Sequence, residues 1–340
     1  MTVTNGRSAR RPHFGDRLAE AVQRRESQIV LGIDPDPARL WPAAVEGSSE
    51  ARARLATTLS EAEDAAGGVR EVSDAPAGEG VVSRLETAAA VLAHCLALID
   101  AAAPACVAAK PQLACFERLG APGWLALEHV CAHARAQGLL VMADAKRGDV
   151  PVTAAAYAQA LVSGMPSPFG HVSGLGADAF TANPLLGNDA LEPLIAAARA
   201  RAAGPFILVR TSNPGAADVL DLELATGERL WEHLARMVDR LGQTGESGIA
   251  DVGAVTGATE PRHLARLREL MPATPFLLPG VGAQGGDVHG LAPAFAPGRA
   301  GGLITASRSI ANAHEAVEAP PPLAARTEAE RLREQAWDLA

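Results

Sequence analysis

Eight short apolar runs, at 29–33, 105–109, 139–143, 177–182, 206–210, 252–256, 276–279 and 302–305, alternate with helical stretches rich in Ala, Leu, Glu and Arg. This alternation constrains the fold more than any other feature. A strand that passes through a helix before the next strand returns parallel to its predecessor, because two parallel strands cannot be joined by a tight turn. Eight such βαβ steps predict an α/β fold of the (β/α)8 TIM-barrel type. A doubly wound open sheet is the competing arrangement, and the strand count favours the barrel. The 340 residues suit a single barrel domain, 1–340. Abundant Ala and Gly with 4% aromatic residues fit close-packed helices on a sheet rather than a β-sandwich.

Phe14, Leu18 and Val22 recur at four-residue spacing in a charged segment and predict an amphipathic leading helix. The interval between the first and second runs is far longer than the others. Its middle, 46–82, is rich in Ala, Glu, Ser and Gly and includes Gly67-Gly68 and the stretch from Asp74 to Gly80. It reads as a surface insertion, partly helical and partly flexible. A polar loop is expected at 242–248, and Pro320-Pro321-Pro322 break the chain before a C-terminal extension helix at 320–340. No internal repeat and no nucleic-acid motif is found in the sequence.

The net charge of −9 argues against a general nucleic-acid or anionic-membrane surface. An anionic substrate then needs a local positive site within an acidic field. Cys95, Cys106, Cys115 and Cys131 fall in or near apolar runs without a CxxC pair, and no histidine cluster completes a zinc spacing. They read as reduced core thiols. Arg7, Arg10 and Arg11 resemble the start of a signal peptide, but no apolar region follows before Asp16. No 18-residue apolar run for a membrane span is read in the chain. The expectation is a soluble, cytoplasmic protein with neither membrane nor nucleic acid among its partners.

In a parallel barrel the C-terminal strand ends carry the site. The residues closing the runs are Asp34, Lys110, Asp144 with Lys146, Asn183, Ser212, Thr256, Gly280 with Gly282, and Arg308. The densest group is Asp144-Ala145-Lys146-Arg147-Gly148-Asp149, expected where a buried strand emerges into a loop. Residues two apart on a strand project to one side, which pairs Asp144 with Lys146. Gly148 permits a sharp turn toward Asp149. Together Asp34, Lys110, Asp144, Lys146 and Asp149 predict a charge network. A Schiff-base lysine needs a depressed pKa, whereas nearby carboxylates keep a lysine protonated. Metal binding beside the acids competes with the ammonium groups. A protonated lysine facing a developing carbanion uses both signs and needs neither metal nor cofactor.

The last two runs supply an anion site. The glycine-rich segment from Pro279 to Gly286 can point backbone N–H groups at an oxyanion. Arg308 adds a guanidinium suited to phosphate, and loops after strands 7 and 8 are the usual phosphate position in this fold. A phosphorylated small molecule is the implied ligand. Plainer readings stand beside these. Asn183, Ser212 and Thr256 suit helix capping as well as substrate contact, Asp36 suits turn chemistry, and His94, His129 and His133 sit on ordinary helix faces.

The segment from Asp144 to Asp149 matches a DxKxxD signature. Leu31-Gly32-Ile33-Asp34, Ala109-Lys110-Pro111, Asn183-Pro184-Leu185-Leu186-Gly187, Thr211-Ser212-Asn213-Pro214-Gly215, Pro279-Gly280-Val281-Gly282 and Ser307-Arg308-Ser309 accompany it. With these the chain resembles the orotidine 5'-phosphate decarboxylase family, in its longer bacterial, type 2 subgroup. The resemblance runs from Phe14 to Ala316, leaving out the insertion. Sugar-phosphate decarboxylases or aldolase-type relatives share DxKxxD with Mg2+, and a non-catalytic nucleotide-binding barrel is the alternative from another class. The ribose and pyrimidine segments count against the first, and the five intact charged residues against the second.

The resemblance implies cofactor-free decarboxylation of orotidine 5'-monophosphate to UMP in de novo pyrimidine synthesis. It implies that Lys146 protonates C6, that Asp144 lies near the substrate carboxylate, and that Lys110 holds the carboxylates of the network. It also implies a homodimer in which Asp149 and Thr153 reach the partner's site, Thr153 at the ribose. Asp34 is implied at the ribose hydroxyls and Ser212 at the pyrimidine edge. Gln284 and Arg308 are implied at the phosphate, and Asn183 and Gly282 complete the substrate-binding set. Gln284 is placed by local wording, and Pro151, just after Asp149, bears on where the next helix starts.

Overall fold

The computed structural model describes residues 13–66, 84–257, 261–280 and 288–339. Eight strands form its main sheet: β1 (Ile29–Ile33), β2 (Ala108–Pro111), β3 (Leu140–Arg147), β4 (Ala179–Ala182), β5 (Gly204–Arg210), β6 (Gly253–Thr256), β7 (Phe276–Leu278) and β8 (Gly302–Ala306). Each pairs with the next in chain order and β8 pairs with β1, closing the barrel. Registers such as Gly32↔Lys110 and Phe206↔Gly253 are parallel. β1, β6, β7 and β8 are buried along their whole length, as expected for parallel strands covered on both faces. The (β/α)8 expectation therefore holds.

Two strand boundaries differ from expectation in ways that matter. β2 starts at Ala108 rather than at 105, because Ala103–Ala105 forms a 3-10 turn around Pro104. β3 continues through Arg147, so Asp144 and Lys146 lie on the strand and not in the loop beyond it.

The chain divides into two compact units, one of residues 29–145 and 305–335, the other of residues up to 28, 146–304 and those from 336. In the first, helix Arg84–Ala102 packs on helix Ala121–Ala136. Buried Ala88, Ala89, Leu92, Cys95, Leu98 and Ile99 leave the first of these little polar face. The stretch Arg84–Ala105 is long and apolar enough to cross a membrane, which corrects the expectation that no such run exists. Its apolar window is 72% buried inside the fold, as in a core helix. Of residues 46–82, expected to be a surface insertion, the structure shows the helix Ser49–Ala66, and the glycine-rich stretch from Gly67 to Gly80 lies outside the described residues. The final helix, Pro321–Trp337, begins at the prolines, which favour a first helical turn. Cys95, Cys106 and Cys131 are buried, Cys115 is half-buried, and all four are free thiols.

In the second unit the leading helix Phe14–Arg25 buries Phe14, Leu18 and Val22. Phe14 meets Phe206 edge to face at 6.0 Å. Farther along, the Arg268 guanidinium is buried and donates to the carbonyls of Met271, Thr274, Ala294 and Gly301. An antiparallel hairpin, Met165–Ser167 with Gly170–Val172, stands outside the barrel sheet.

Candidate active site

In the unit containing 29–145, β2 and β3 bring Lys110 and Asp144 together. Lys110 Nζ donates to Asp144 Oδ2 at 2.5 Å, with both side chains buried. Gln112 Nε2 donates to the same oxygen at 3.1 Å, and the backbones of Gln112 and Asp144 form a parallel bridge. Burial alone would lower the Lys110 pKa, but Asp144 and Asp34 outweigh it and hold the ammonium above its ordinary range. Schiff-base chemistry needs the opposite shift, so Lys110 is a fixed positive charge.

Asp34, exposed just after β1, lines a cavity of about 310 Å³ with Ser307, Arg308 and His94. A Cβ on Gly32 would sit 1.7 Å from Ser307 Oγ, so only glycine lets Ser307 rest against β1. Arg39 in this cavity is paired with Glu315. Arg308 is exposed and has no ion pair among the described residues, which leaves its guanidinium open to an anion. His94 Nδ1 accepts the Trp41 backbone N–H at 3.2 Å. Burial, aided by His314, pushes His94 down to about 4, so it is a neutral acceptor rather than a titrating acid.

In the unit containing 146–304, Lys146 is exposed and its backbone is left-handed, φ 48°. The extended geometry behind the two-residue alternation is therefore broken at this residue. Its N–H donates to Thr181 Oγ1 at 2.9 Å. Gly148, expected to permit a sharp turn, is not left-handed; the left-handed residue is Lys146. Gly148 serves a close approach, since a Cβ there would lie 2.7 Å from the Asn183 carbonyl oxygen. Asp149 is half-buried, and its Oδ1 accepts the Val150 N–H at 2.8 Å. Pro151 is the first residue of helix Pro151–Ala158, where its fixed φ is favourable, so it starts that helix cleanly. Thr153 is exposed on the same helix.

Asn183 Oδ1 accepts the Leu185 N–H at 3.0 Å, which is turn chemistry and not a helix cap. Ser212 is half-buried and lines a cavity of about 500 Å³ with Arg210, Asp221 and His263. There Arg210 holds Asp221 through two bonds of 3.1 and 3.2 Å. Thr256 is buried, and its hydroxyl has no partner among the described residues. Gly280 leaves β7 with φ 106°. Gly282 and Gln284 lie outside the described residues.

Several participants escaped the sequence reading. Gln112, directly after Pro111, carried no role in the sequence, and Thr181 was a lone hydroxyl in an apolar run. Ser307 gave no signal of its contact with β1, and Arg210 none of its pairing with Asp221. Among the described residues no group of three His, Cys, Asp or Glu side chains is arranged to hold a metal ion.

A closed parallel barrel with ionised side chains at its strand ends has the architecture of a (β/α)8 enzyme. A sequence model described as orotidine 5'-phosphate decarboxylase / HUMPS family matches residues 83–320. The chain is 36% identical to the orotidine 5'-phosphate decarboxylase of Roseiflexus castenholzii over 324 residues, covering 95% of this chain and 96% of the relative. It is 46% identical to that of Deinococcus radiodurans over 216 residues, 63% of this chain and 75% of the relative. A solved OMP decarboxylase from Leishmania donovani is similar at TM-score 0.63 and 28% identity, covering 95% of this chain and 99% of that one. The chain spans 56% of the longer UMP synthase from the same organism, at TM-score 0.65 and 29% identity, with 96% of this chain covered. The chain belongs to the orotidine 5'-phosphate decarboxylase / HUMPS family. Within that family it is an enzyme of the carboxy-lyase class.

Proposed function

We propose that this chain converts orotidine 5'-monophosphate to UMP and CO2 in pyrimidine biosynthesis without a metal or cofactor. One observation carries the reading: of 30 Lys plus Arg residues, only Lys110 and Lys146 are lysines. Every other residue of that 30 is arginine, which stays protonated in proteins and cannot serve as a proton donor. The two ammonium groups thus occur only where the family signature needs them.

In the reaction the bond between C6 and the carboxylate breaks, its electron pair stays on C6, and CO2 leaves. The Lys146 ammonium delivers a proton to C6 and regains one from solvent. Asp144 borders the substrate carboxylate, held by Lys110 and Gln112. Asp34 takes the ribose hydroxyls, Ser212 the pyrimidine edge with Asn183 close by, and Arg308 the phosphate with Gly282 and Gln284. The ring anion has little resonance relief, so positive charge fixed in advance is its main stabilisation. Each tenfold in rate removes about 1.4 kcal/mol from the barrier, too much in total for one salt bridge. Binding of the remote phosphate must contribute, through closure of a loop over it.

In this reading Asp149 and Thr153 serve the site of a partner protomer. Beside them Val150 and Val152 are 55% and 86% exposed, and Phe169 at the hairpin tip is 99% exposed. Apolar exposure of that extent favours a partner surface. Mixed dimers of Asp149→Ala and Lys146→Ala chains should recover one working site in two, and no recovery would remove the shared-site claim. A cytoplasmic location is proposed on the four free thiols.

The central test follows the ultraviolet absorbance of orotidine 5'-monophosphate with purified chain and EDTA present. Substrate should disappear, and Lys146→Ala should slow it roughly 10³-fold. No turnover by the wild type sinks the assignment. Turnover that appears only when EDTA is left out would overturn the metal-free part of the reading and keep the substrate.

A further inference from the structure

We infer that Thr181 is a positioning residue for the proton donor: its hydroxyl locks the Lys146 backbone left-handed and so sets where the ammonium can reach. The inference rests on the role proposed above for Lys146. Among the described residues three non-glycine positions have positive φ: Glu26, Lys146 and Ala202. Glu26 caps helix Phe14–Arg25, and Ala202 lies just past helix Asn188–Ala200, a setting where left-handed residues are ordinary. Lys146 is different because it belongs to a strand.

A side-chain-bearing residue enters this region reluctantly and remains there only when its surroundings hold it. Here the holding group is identifiable. The Lys146 N–H donates to Thr181 Oγ1 at 2.9 Å, and Thr181 is 1% exposed, so water has little room to replace it. Immediately beyond, the Asn183 N–H donates to the Arg147 carbonyl at 2.8 Å and fixes the next residue. Valine would be the ordinary choice at a buried β4 position, since it has the same shape and no polar atom to satisfy. Threonine is explained by the backbone donor it receives. Without that acceptor, Lys146 relaxes toward extended geometry, and its long side chain amplifies the rotation.

The experiment compares Thr181→Val with Thr181→Ser. Selective [15N]lysine labelling gives two backbone amide signals, because the chain has two lysines. In Thr181→Val the Lys146 amide should shift and exchange with deuterium roughly 100-fold faster, with Lys110 unmoved; Thr181→Ser should preserve both signals. For decarboxylation, Val should lower kcat roughly 100-fold at a KM within about twofold, and Ser should return kcat to within about threefold. Thr181→Ala accompanies them in case the valine chain does not fold, and should behave as Val. An unmoved Lys146 amide, a hydroxyl-free variant with wild-type kcat, or a Ser variant as slow as Val overturns the inference. If the wild type does not decarboxylate orotidine 5'-monophosphate, the functional reading fails, and the lysine amides still decide the positioning claim.

Discussion

Two buried cations, one in each unit, are satisfied in opposite ways. The Lys110 ammonium has a carboxylate at 2.5 Å and is held above its ordinary pKa by Asp144 and Asp34 against the effect of burial. The Arg268 guanidinium faces neutral carbonyls from Met271, Thr274, Ala294 and Gly301 and lies 3.7 Å over the Phe276 ring. Among the described residues it has no carboxylate partner, and burial pushes it down to about 9, still protonated at neutral pH. A planar group with five donors can staple several chain segments at once. An ammonium paired with a carboxylate staples little and concentrates opposed charges instead. Burial of a cation therefore does not mark a site; the chemistry of its acceptors does.

Lys110→Met should break the comparison most sharply. It leaves Asp144 buried without its cation, at a loss of about 3 kcal/mol or more in urea unfolding and roughly 10³-fold in kcat. Arg268→Met should lower unfolding stability by about 3 kcal/mol through stranded carbonyls, while kcat of the folded enzyme stays within about twofold. A kcat loss in Arg268→Met as deep as in Lys110→Met would erase the distinction between the two cations.

His94 sharpens the comparison from the neutral side. Its folded pKa of about 4 lies below the ordinary 6.5, so the unfolded chain takes up the proton first as pH falls. The stabilisation is therefore fully present above about pH 6.5 and lost on the way down to about 4. Between pH 7 and 5 the decrease should be about 2 kcal/mol. His94→Gln should flatten that slope in urea midpoints measured at the two pH values.

β1 was legible residue for residue, because an apolar run bounded by polar residues leaves little choice. The length of the apolar stretch Arg84–Ala105 was missed, since no 18-residue run was read in the chain, and its burial inside the fold was not visible in the sequence. The pairing of Lys110 with Asp144 was legible from charged residues recurring at strand ends. The conformation of Lys146 was not. Alternation presupposes extended backbone, and here the deciding group is a hydroxyl 35 residues away. Arg268 was equally opaque, since a position on a charged helix gives no sign of carbonyls arriving from Ala294 and Gly301.

The scarcity of lysine has a consequence for reagents. Lys110 is buried in its ion pair, whereas Lys146 is exposed. An amine-selective electrophile offered to the folded chain thus meets a single accessible lysine side chain. Once label on the α-amino group is subtracted, covalent labelling counts exposed Lys146 side chains, and a ligand that shields Lys146 becomes visible as protection from the label.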